Sequence, residues 1–93
     1  MTYHLVYHPD VADEDLPRLP GNVASRIARA IESRLTREPE RYGLPLRGTL
    51  KGYWKLRVGD YRVVYRVAGA EVRILVIRHR RDVYQEVRSR EGD

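Results

Sequence analysis

The chain has 93 residues, of which 42% are hydrophobic and none is cysteine, and its net charge is +5. This length and composition predict one folded domain spanning residues 1–93, and they exclude a disulfide framework and a thiolate-bound metal site. Because no apolar run is long enough to span a membrane and the amino terminus lacks a secretory signal pattern, we expect a cytoplasmic protein with no membrane partner.

The amino-terminal half predicts one strand followed by two helices. Polar and apolar side chains alternate over residues 2–8, which indicates a strand, and a short helix is expected over residues 11–16 before Pro17. The second helix is the clearest element, and we expect it to end near Pro39. Its apolar residues recur every four positions on one face: Val23, Ile27, Ile31 and Leu35.

The carboxy-terminal half predicts a succession of strands and one short helix. The expected strands cover residues 46–50, 53–58, 61–67 and 71–77. The helix is expected over residues 82–89. Together the elements predict an α+β fold, in which a small antiparallel β-sheet of about four to five strands packs on two N-terminal helices and is followed by a short C-terminal helix.

Positive charge is concentrated in the second half of the chain. Residues 47–90 hold twelve basic and four acidic residues, a net charge of +8, whereas residues 1–46 hold six basic and seven acidic residues. A polyanion is therefore the expected partner of the second half, and a solvated arginine surface with no partner is the alternative interpretation.

The Gly59–Asp60 turn predicts the register of the two strongest strands. A two-residue loop there places Arg57 directly opposite Arg62. One face of the hairpin then collects the residues expected in the core: Trp54, Leu56, Val58, Tyr61, Val63, Tyr65 and Val67. The other face collects Tyr53, Lys55, Arg57, Arg62, Val64 and Arg66. Because facing like charges destabilise a hairpin by about 0.2–1 kcal/mol, the Arg57–Arg62 pair favours an anion site.

The face on which Arg78 lies depends on the loop at residues 68–70. A three-residue loop places Arg78 on the face of Lys55 and Arg62, and a two-residue loop places it on the opposite face. The strand over residues 71–77 is apolar on both faces, which predicts a central strand covered on both sides. The C-terminal helix is the expected second cover, and it would bring Tyr84 close to Lys55 and Arg62.

Two segments of the chain resemble the RelE/ParE toxin superfamily, and its RelE-type members in particular. They read LKGYWKLRVGDYRVVY over residues 50–65 and IRHRRDVY over residues 77–84. The two preceding helices and the chain length also fit, so the resemblance covers nearly the whole chain. It implies a RelE/ParE-like fold and the toxin component of a type II toxin–antitoxin system.

The resemblance to RelE-type toxins implies a ribosome-dependent endoribonuclease that cleaves mRNA in the ribosomal A site. In this reaction the 2′-hydroxyl of one nucleotide attacks the adjacent phosphate, without a metal ion or another cofactor, and translation is inhibited. The implied catalytic residues are Lys55, Arg62, Arg78, His79 and Tyr84. The residues expected to bind RNA or the ribosome are Lys51, Tyr53, Arg57, Arg66, Arg80 and Arg81.

The implied residue types suit this chemistry. Lysine and arginine side chains can stabilise the negative charge that builds on a pentacoordinate phosphate. Histidine is the side chain whose ordinary pKa best suits proton transfer near neutral pH, so His79 is the first candidate for the general acid or base. If His79 points away, Lys55 is the alternative base and Arg78 assists the leaving group. Tyr84 would stack on a base or orient the phosphate.

One position departs from the RelE-type pattern. Several relatives carry a second lysine two residues before the position of Lys55, where this chain has Tyr53, and Lys51 is the candidate replacement. The departure leaves two alternatives open: a ParE-like toxin that poisons DNA gyrase, and a catalytically inactive relative that binds RNA or a partner.

The resemblance also implies a partner, a cognate acidic RelB-like antitoxin that forms a heteromeric complex with the toxin. Its disordered tail would fold on binding. It would cover the face of Lys55, Arg62 and Arg78, displace the C-terminal helix, fill a groove between the helices, or extend the sheet edge.

Overall fold

The computed structural model describes residues 2–91, and a five-stranded sheet forms its centre. The strands are β1 (His4–Tyr7), β2 (Leu44–Pro45), β3 (Trp54–Val58), β4 (Tyr61–Ala68) and β5 (Glu71–His79). Their order in the sheet is β1-β5-β4-β3-β2. Strand β1 runs parallel to β5, and the other neighbours are antiparallel. The α+β class is confirmed, but the sheet is not antiparallel throughout as expected, because β1 pairs in parallel with β5, the last strand of the chain.

Within residues 2–91, three helices and several single turns complete the fold. The helices are α1 (Gly21–Ala30), α2 (Pro39–Tyr42) and α3 (Val83–Glu91). A π-helical turn (Val11–Asp15) and a 3-10 turn (Leu16–Arg18) precede α1. At its carboxy-terminal end α1 continues into a π-helical segment (Ile31–Leu35). None of the helices formed by residues 2–91 is both long and apolar enough to cross a membrane.

The main hydrophobic core lies between α1 with its π-helical continuation and one face of the sheet. The predicted helical stripe is confirmed, since Ile27, Ile31 and Leu35 are buried and Val23 packs beside them. The sheet contributes Leu56, Val58, Val63, Tyr65, Val72, Ile74 and Ile77. At about 1.5–3 kcal/mol for each fully buried large aliphatic side chain, this layer supplies most of the driving force for folding.

A second, smaller core lies on the opposite face of the sheet, under α3. Val83 and Val87 of α3 are buried there against Val64, Val76 and Leu50. The prediction that the C-terminal helix covers the second face is therefore confirmed. This packing determines which side chains of α3 meet the basic face of the β3–β4 hairpin.

The prediction of a strand over residues 46–50 is wrong. The strand β2 precedes that segment, and Gly48–Leu50 forms a 3-10 turn instead. Gly48 has a φ of +66°, a left-handed conformation that interrupts an extended strand. Lys51 consequently lies in an exposed turn before β3 and not on a strand face with Lys55.

The β4–β5 hairpin contains a bulge that decides the orientation of Arg78. Its loop has two residues, since Ala68 pairs with Glu71, and a loop of that length was expected to turn Arg78 away from Arg62. The register then shifts by one residue at Leu75, because Tyr65 pairs with Ile74 and Val64 with Val76. An extra residue reverses the faces of all later side chains, so Arg78 lies directly opposite Arg62.

Candidate functional site

A contact between Lys55 of β3 and Tyr84 of α3 lies at the centre of the candidate site. The Lys55 ammonium donates a hydrogen bond to the Tyr84 hydroxyl at 3.1 Å, and Lys55 Nζ lies 5.8 Å from the centroid of the Tyr84 ring. Both side chains are half-buried. Because Val83 and Val87 anchor α3 to the sheet, Tyr84 is held over the β3 face as predicted.

Three arginines form a row across the neighbouring strands. Arg57 lies opposite Arg62, and Arg62 lies opposite Arg78. Directly opposed Cβ atoms in a sheet are about 4.5–5.5 Å apart, and diagonal neighbours such as Lys55 and Arg62 are about 7–8 Å apart. The register predicted for the β3–β4 hairpin is confirmed, and Arg78 extends the row to a third strand.

Arg62 is held by backbone carbonyl groups. Its Nη1 atom donates to the carbonyl oxygens of Gly59 at 3.0 Å and Tyr61 at 2.9 Å, and only 8% of the residue is exposed. No carboxylate of residues 2–91 is in ion-pair contact with Arg62. The guanidinium is therefore positioned by neutral acceptors and keeps its full charge for an anion.

Arg78 shares this face but is bound by a carboxylate. Its Nε atom donates to Oδ1 of Asp15 at 2.5 Å, and its Nη1 atom lies 3.8 Å from Glu86. Asp15 is fully buried in the π-helical turn before α1, and it also accepts the backbone N–H of Ile77 at 2.8 Å. The expected catalytic Arg78 is thus 6% exposed, and its Nε atom is engaged in an internal ion pair.

Arg90 is the second cation that binds Asp15. Its two terminal nitrogens donate to the Asp15 oxygens at 2.7 and 2.6 Å, and Nη1 also donates to the carbonyl of the bulge residue Leu75 at 2.9 Å. Burial alone would lower the pKa of Arg90, but the hydrogen bond and charge of Asp15, with Glu86 and Asp10, outweigh it and raise that pKa. Arg90 therefore ties α3 to the sheet as a permanent cation.

This cluster is not visible in the charge pattern of the sequence, in which Arg90 counts as one of the twelve basic residues expected to face a polyanion. Arg90 is instead only 4% exposed, so its charge lies inside the fold. A usable signal was present: Asp15 follows Val11 by four residues, so both face the same side of a helical turn, and Val11 is buried. A carboxylate on an apolar helical face needs a buried cation as a partner.

His79 lies apart from the Lys55–Tyr84 contact. It pairs with Tyr61 in the sheet, and its ring meets the Tyr61 ring edge-on at 5.5 Å and 77°. Since side chains alternate along a strand, His79 is on the face opposite to Arg78 and Lys55. Its Nδ1 atom accepts the backbone N–H of Arg81 at 3.2 Å. The structure does not bring His79 together with the other four expected catalytic residues.

The residues expected to bind RNA are distributed around this face. The Arg66 guanidinium lies 5.5 Å from the centroid of the Tyr53 ring, and Arg57 is exposed at the edge of the hairpin. Arg80 and Arg81 are exposed in the turn between β5 and α3. Among residues 2–91, no group of three His, Asp or Glu side chains is placed to hold a metal ion.

The basic face and the topology can be compared with known proteins. Residues 6–84 match the sequence model of the ParE toxin of type II toxin–antitoxin systems, parDE. The chain belongs to the RelE/ParE family of type II toxins. The match begins within β1, includes the other four strands and α1, and ends at Tyr84 within α3.

Relatives of this toxin support the same assignment. It is 36% identical over 76 residues to Toxin RelG of Mycobacterium tuberculosis, covering 80% of this chain and 87% of RelG. The toxin–antitoxin complex RelBE2 of Mycobacterium tuberculosis superposes with a TM-score of 0.77 at 33% identity, covering 85% of this chain and 92% of that one. A mutant of E. coli toxin RelE in the free state gives a TM-score of 0.74 at 21% identity over 97% and 98% of the two chains, which shows the shared fold.

Proposed function

We propose that this toxin is a ribosome-dependent endoribonuclease that cleaves mRNA in the A site without a metal ion. The single observation that carries the proposal is the Lys55–Tyr84 hydrogen bond on the face that also holds Arg62. A proton-transferring pair and a guanidinium with no carboxylate partner are the two components that transesterification at a phosphate needs.

In the proposed reaction the 2′-oxygen attacks the adjacent phosphorus and the bond from phosphorus to the 5′-oxygen breaks. The products are a cyclic phosphate and a 5′-hydroxyl. In its neutral amine form Lys55 accepts the proton of the 2′-hydroxyl at Nζ, the atom that Tyr84 orients through its hydrogen bond, and the departing 5′-oxygen takes up a proton from water. Arg62 stabilises the charge on the phosphate oxygens, a contribution worth about 10²–10³ in rate for a single donor in comparable sites. His79 has no step in this scheme, since it lies on the other face of the sheet.

Arg78 has a different role in this scheme from the one expected. Its guanidinium adds positive charge beside Arg62, but Asp15 occupies its Nε atom. We assign Arg78 to the electrostatic environment of the phosphate, while Lys55, Arg62 and Tyr84 contact the reacting groups.

The test is expression of the wild-type chain, Lys55→Ala and Arg62→Ala in a bacterial host, with growth measured and mRNA 5′ ends mapped. Arg73→Ala is the matched control, because Arg73 is an exposed cation of β5 paired with Glu71. We expect growth arrest and new mRNA 5′ ends for the wild type and the control, and neither for the two site variants. Growth arrest with intact mRNA would contradict the proposal and favour the gyrase-poisoning alternative.

We further propose that an acidic antitoxin binds this toxin and covers the Lys55 face. Solved relatives that resemble the chain include a toxin–antitoxin complex, and the face presents cations at Lys55, Arg57 and Arg62. Co-expression with an acidic RelB-like antitoxin should give a co-purifying complex in which Lys55 is protected from acetylation. A complex in which Lys55 is labelled as fast as in the free toxin would contradict this placement.

A further inference from the structure

A second basic surface lies on the α1 side of the sheet, whereas the Lys55–Tyr84 contact lies on the α3 side. It is a groove of about 380 Å³ between α1 with its π-helical continuation and the end of β3. Four arginines line it: Arg26, Arg29, Arg34 and Arg57. Within residues 2–91 the lining includes no acidic side chain. Four cations gathered without a counter-charge raise the free energy of the folded chain, unless an anion binds between them.

The helical arginines lie on the side of α1 that faces away from the core. Ile27 and Ile31 are buried against the sheet, whereas Arg26, Arg29 and Arg34 are exposed. No carboxylate of residues 2–91 is in ion-pair contact with any of these three arginines. Their charges are therefore available to a ligand.

The groove adjoins the candidate catalytic face around the β3–β4 turn. Both terminal nitrogens of Arg26 lie 3.7 Å from the position that a Cβ atom would take at Gly59. The carbonyl of the same Gly59 accepts a hydrogen bond from Arg62, and Arg57 both lines the groove and lies opposite Arg62. A continuous series of basic side chains therefore extends from Lys55 and Arg62, around the Gly59–Asp60 turn, to the arginines of α1.

We propose that this arginine groove binds the phosphate backbone of the RNA strand that continues from the cleavage site. The proposal rests on the proposed ribonuclease function for the identity of the polyanion. Arginine suits it, because the guanidinium fork contacts two oxygens of one phosphate. A strand carries a negative charge at every nucleotide, so it can follow cations that extend over two faces. The near-neutral amino-terminal half of the chain would thus also contact RNA, through three of its six basic residues.

Binding of a fluorescent RNA oligonucleotide with 2′-O-methyl groups tests the proposal, since this RNA cannot undergo 2′-hydroxyl attack. The variant is Arg26→Ala with Arg29→Ala. The matched control is Arg18→Ala with Arg37→Ala, which removes two exposed arginines outside the groove. Each phosphate contact to a single strand contributes about 0.7 to the slope of log affinity against log salt concentration. We expect the groove variant to lose about 1.4 of that slope, and the control to keep the wild-type slope.

Equal slopes for the groove variant and the control would overturn the proposal, as would a groove variant that weakens binding of an acidic peptide and leaves RNA binding intact. Circular dichroism of both double variants excludes unfolding as the cause of a difference. Failure of the ribonuclease proposal is recognised separately: mRNA stays intact in cells although the purified chain binds the oligonucleotide with the groove-dependent slope.

Discussion

Lys55 and Tyr84 are far apart in sequence, and the packing of α3 brings them into hydrogen-bond contact. The contact between Lys55 and Tyr84 could be predicted because the strand over residues 71–77 is apolar on both faces. Such a strand needs a helix packed on its second face, and the C-terminal helix is the available one. The side-chain partners of Arg62 and Arg78 could not be predicted. Nothing local in the sequence distinguishes a guanidinium held by carbonyl groups from one held by Asp15, more than sixty residues away.

The Tyr84 hydroxyl can be tested separately from the Tyr84 ring. Tyr84→Phe removes the acceptor of the Lys55 hydrogen bond and keeps the packing of α3. We expect the single-turnover rate of mRNA cleavage to fall by about 10²-fold, the lower end for a proton-transfer group, with an unchanged melting temperature. Tyr53→Phe is the control, since the ring of Tyr53 meets Arg66 and needs no hydroxyl for that contact. An equal loss in both variants would assign the effect to general weakening of the face.

His79 provides the complementary test. His79→Gln should leave the cleavage rate within a few-fold of the wild-type rate, because the ring packs edge-on against Tyr61 on the other face of the sheet. Lys55→Ala, measured in parallel, should abolish cleavage. A loss of cleavage in His79→Gln as large as in Lys55→Ala would restore His79 to the proton-transfer step.

Among the elements, the cross-strand pairing of the β3–β4 hairpin could be predicted residue by residue, whereas that of the β4–β5 hairpin could not. The first is determined by a turn with residues that favour a two-residue loop and by clean alternation on both strands. The second contains a bulge at Leu75, and its strand is apolar on both faces, so a one-residue shift leaves no mark in the hydrophobic pattern. Because the position of the bulge is not visible in the sequence, the row of Arg57, Arg62 and Arg78 could not be predicted either.

The cluster around Asp15 holds α3 on the sheet, and its removal should destabilise the whole fold. Asp15→Ala leaves Arg78 and Arg90 buried without their shared carboxylate. Breaking a buried ion pair from one side costs about 3–5 kcal/mol, so we expect a loss of that size in the free energy of unfolding. Urea denaturation measures it, with the exposed Asp13→Ala as the control. A loss as small as that of the control would show that the cluster contributes little.

The short helix α2, which leads into β2, is held by Tyr65, whose hydroxyl donates to the carbonyl of Pro39 at 2.5 Å. A Cβ atom at Gly43 would come within 1.8 Å of that hydroxyl oxygen, so only glycine leaves room for it. Burial, with a smaller contribution from the charge of Glu40, raises the pKa of Tyr65 well above its ordinary value of 10.0. The folded state therefore binds the phenolic proton more tightly than the unfolded state.

This shift predicts a pH dependence. The protonated Tyr65 hydroxyl stabilises the fold fully at pH values below the pKa of Tyr65 in the unfolded chain, which is near 10. This stabilisation is lost as the pH rises towards the pKa of Tyr65 in the folded chain. We expect the free energy of unfolding of the wild type to fall above pH 10 more steeply than that of Tyr65→Phe. At neutral pH the variant should be less stable by about 0.5–1.5 kcal/mol, because the buried Pro39 carbonyl loses its donor. If the free energies of unfolding of the wild type and of Tyr65→Phe fall equally steeply above pH 10, the assignment of this pH dependence to Tyr65 is contradicted.

On the scale of the whole molecule, the charge surface differs from the charge of the sequence. The second half of the chain is strongly basic, and three of its cations, Lys55, Arg57 and Arg62, lie on one face of the β3–β4 hairpin. The amino-terminal half is near neutral as a sum, yet Arg26, Arg29 and Arg34 gather in one groove with Arg57. A count along the chain could not reveal this, because the acidic residues of that half lie elsewhere on the surface or, like Asp15, inside the fold.

The measurement that tests the central claim most directly is cleavage of a defined mRNA by the purified toxin, on programmed ribosomes with an open A site and on the same mRNA alone. We predict cuts within the A-site codon on ribosomes only, ending in a cyclic phosphate and a 5′-hydroxyl, and no cuts with Lys55→Ala. Uncut mRNA on ribosomes with wild-type toxin that still arrests growth, or cutting that persists in Lys55→Ala, would contradict the account.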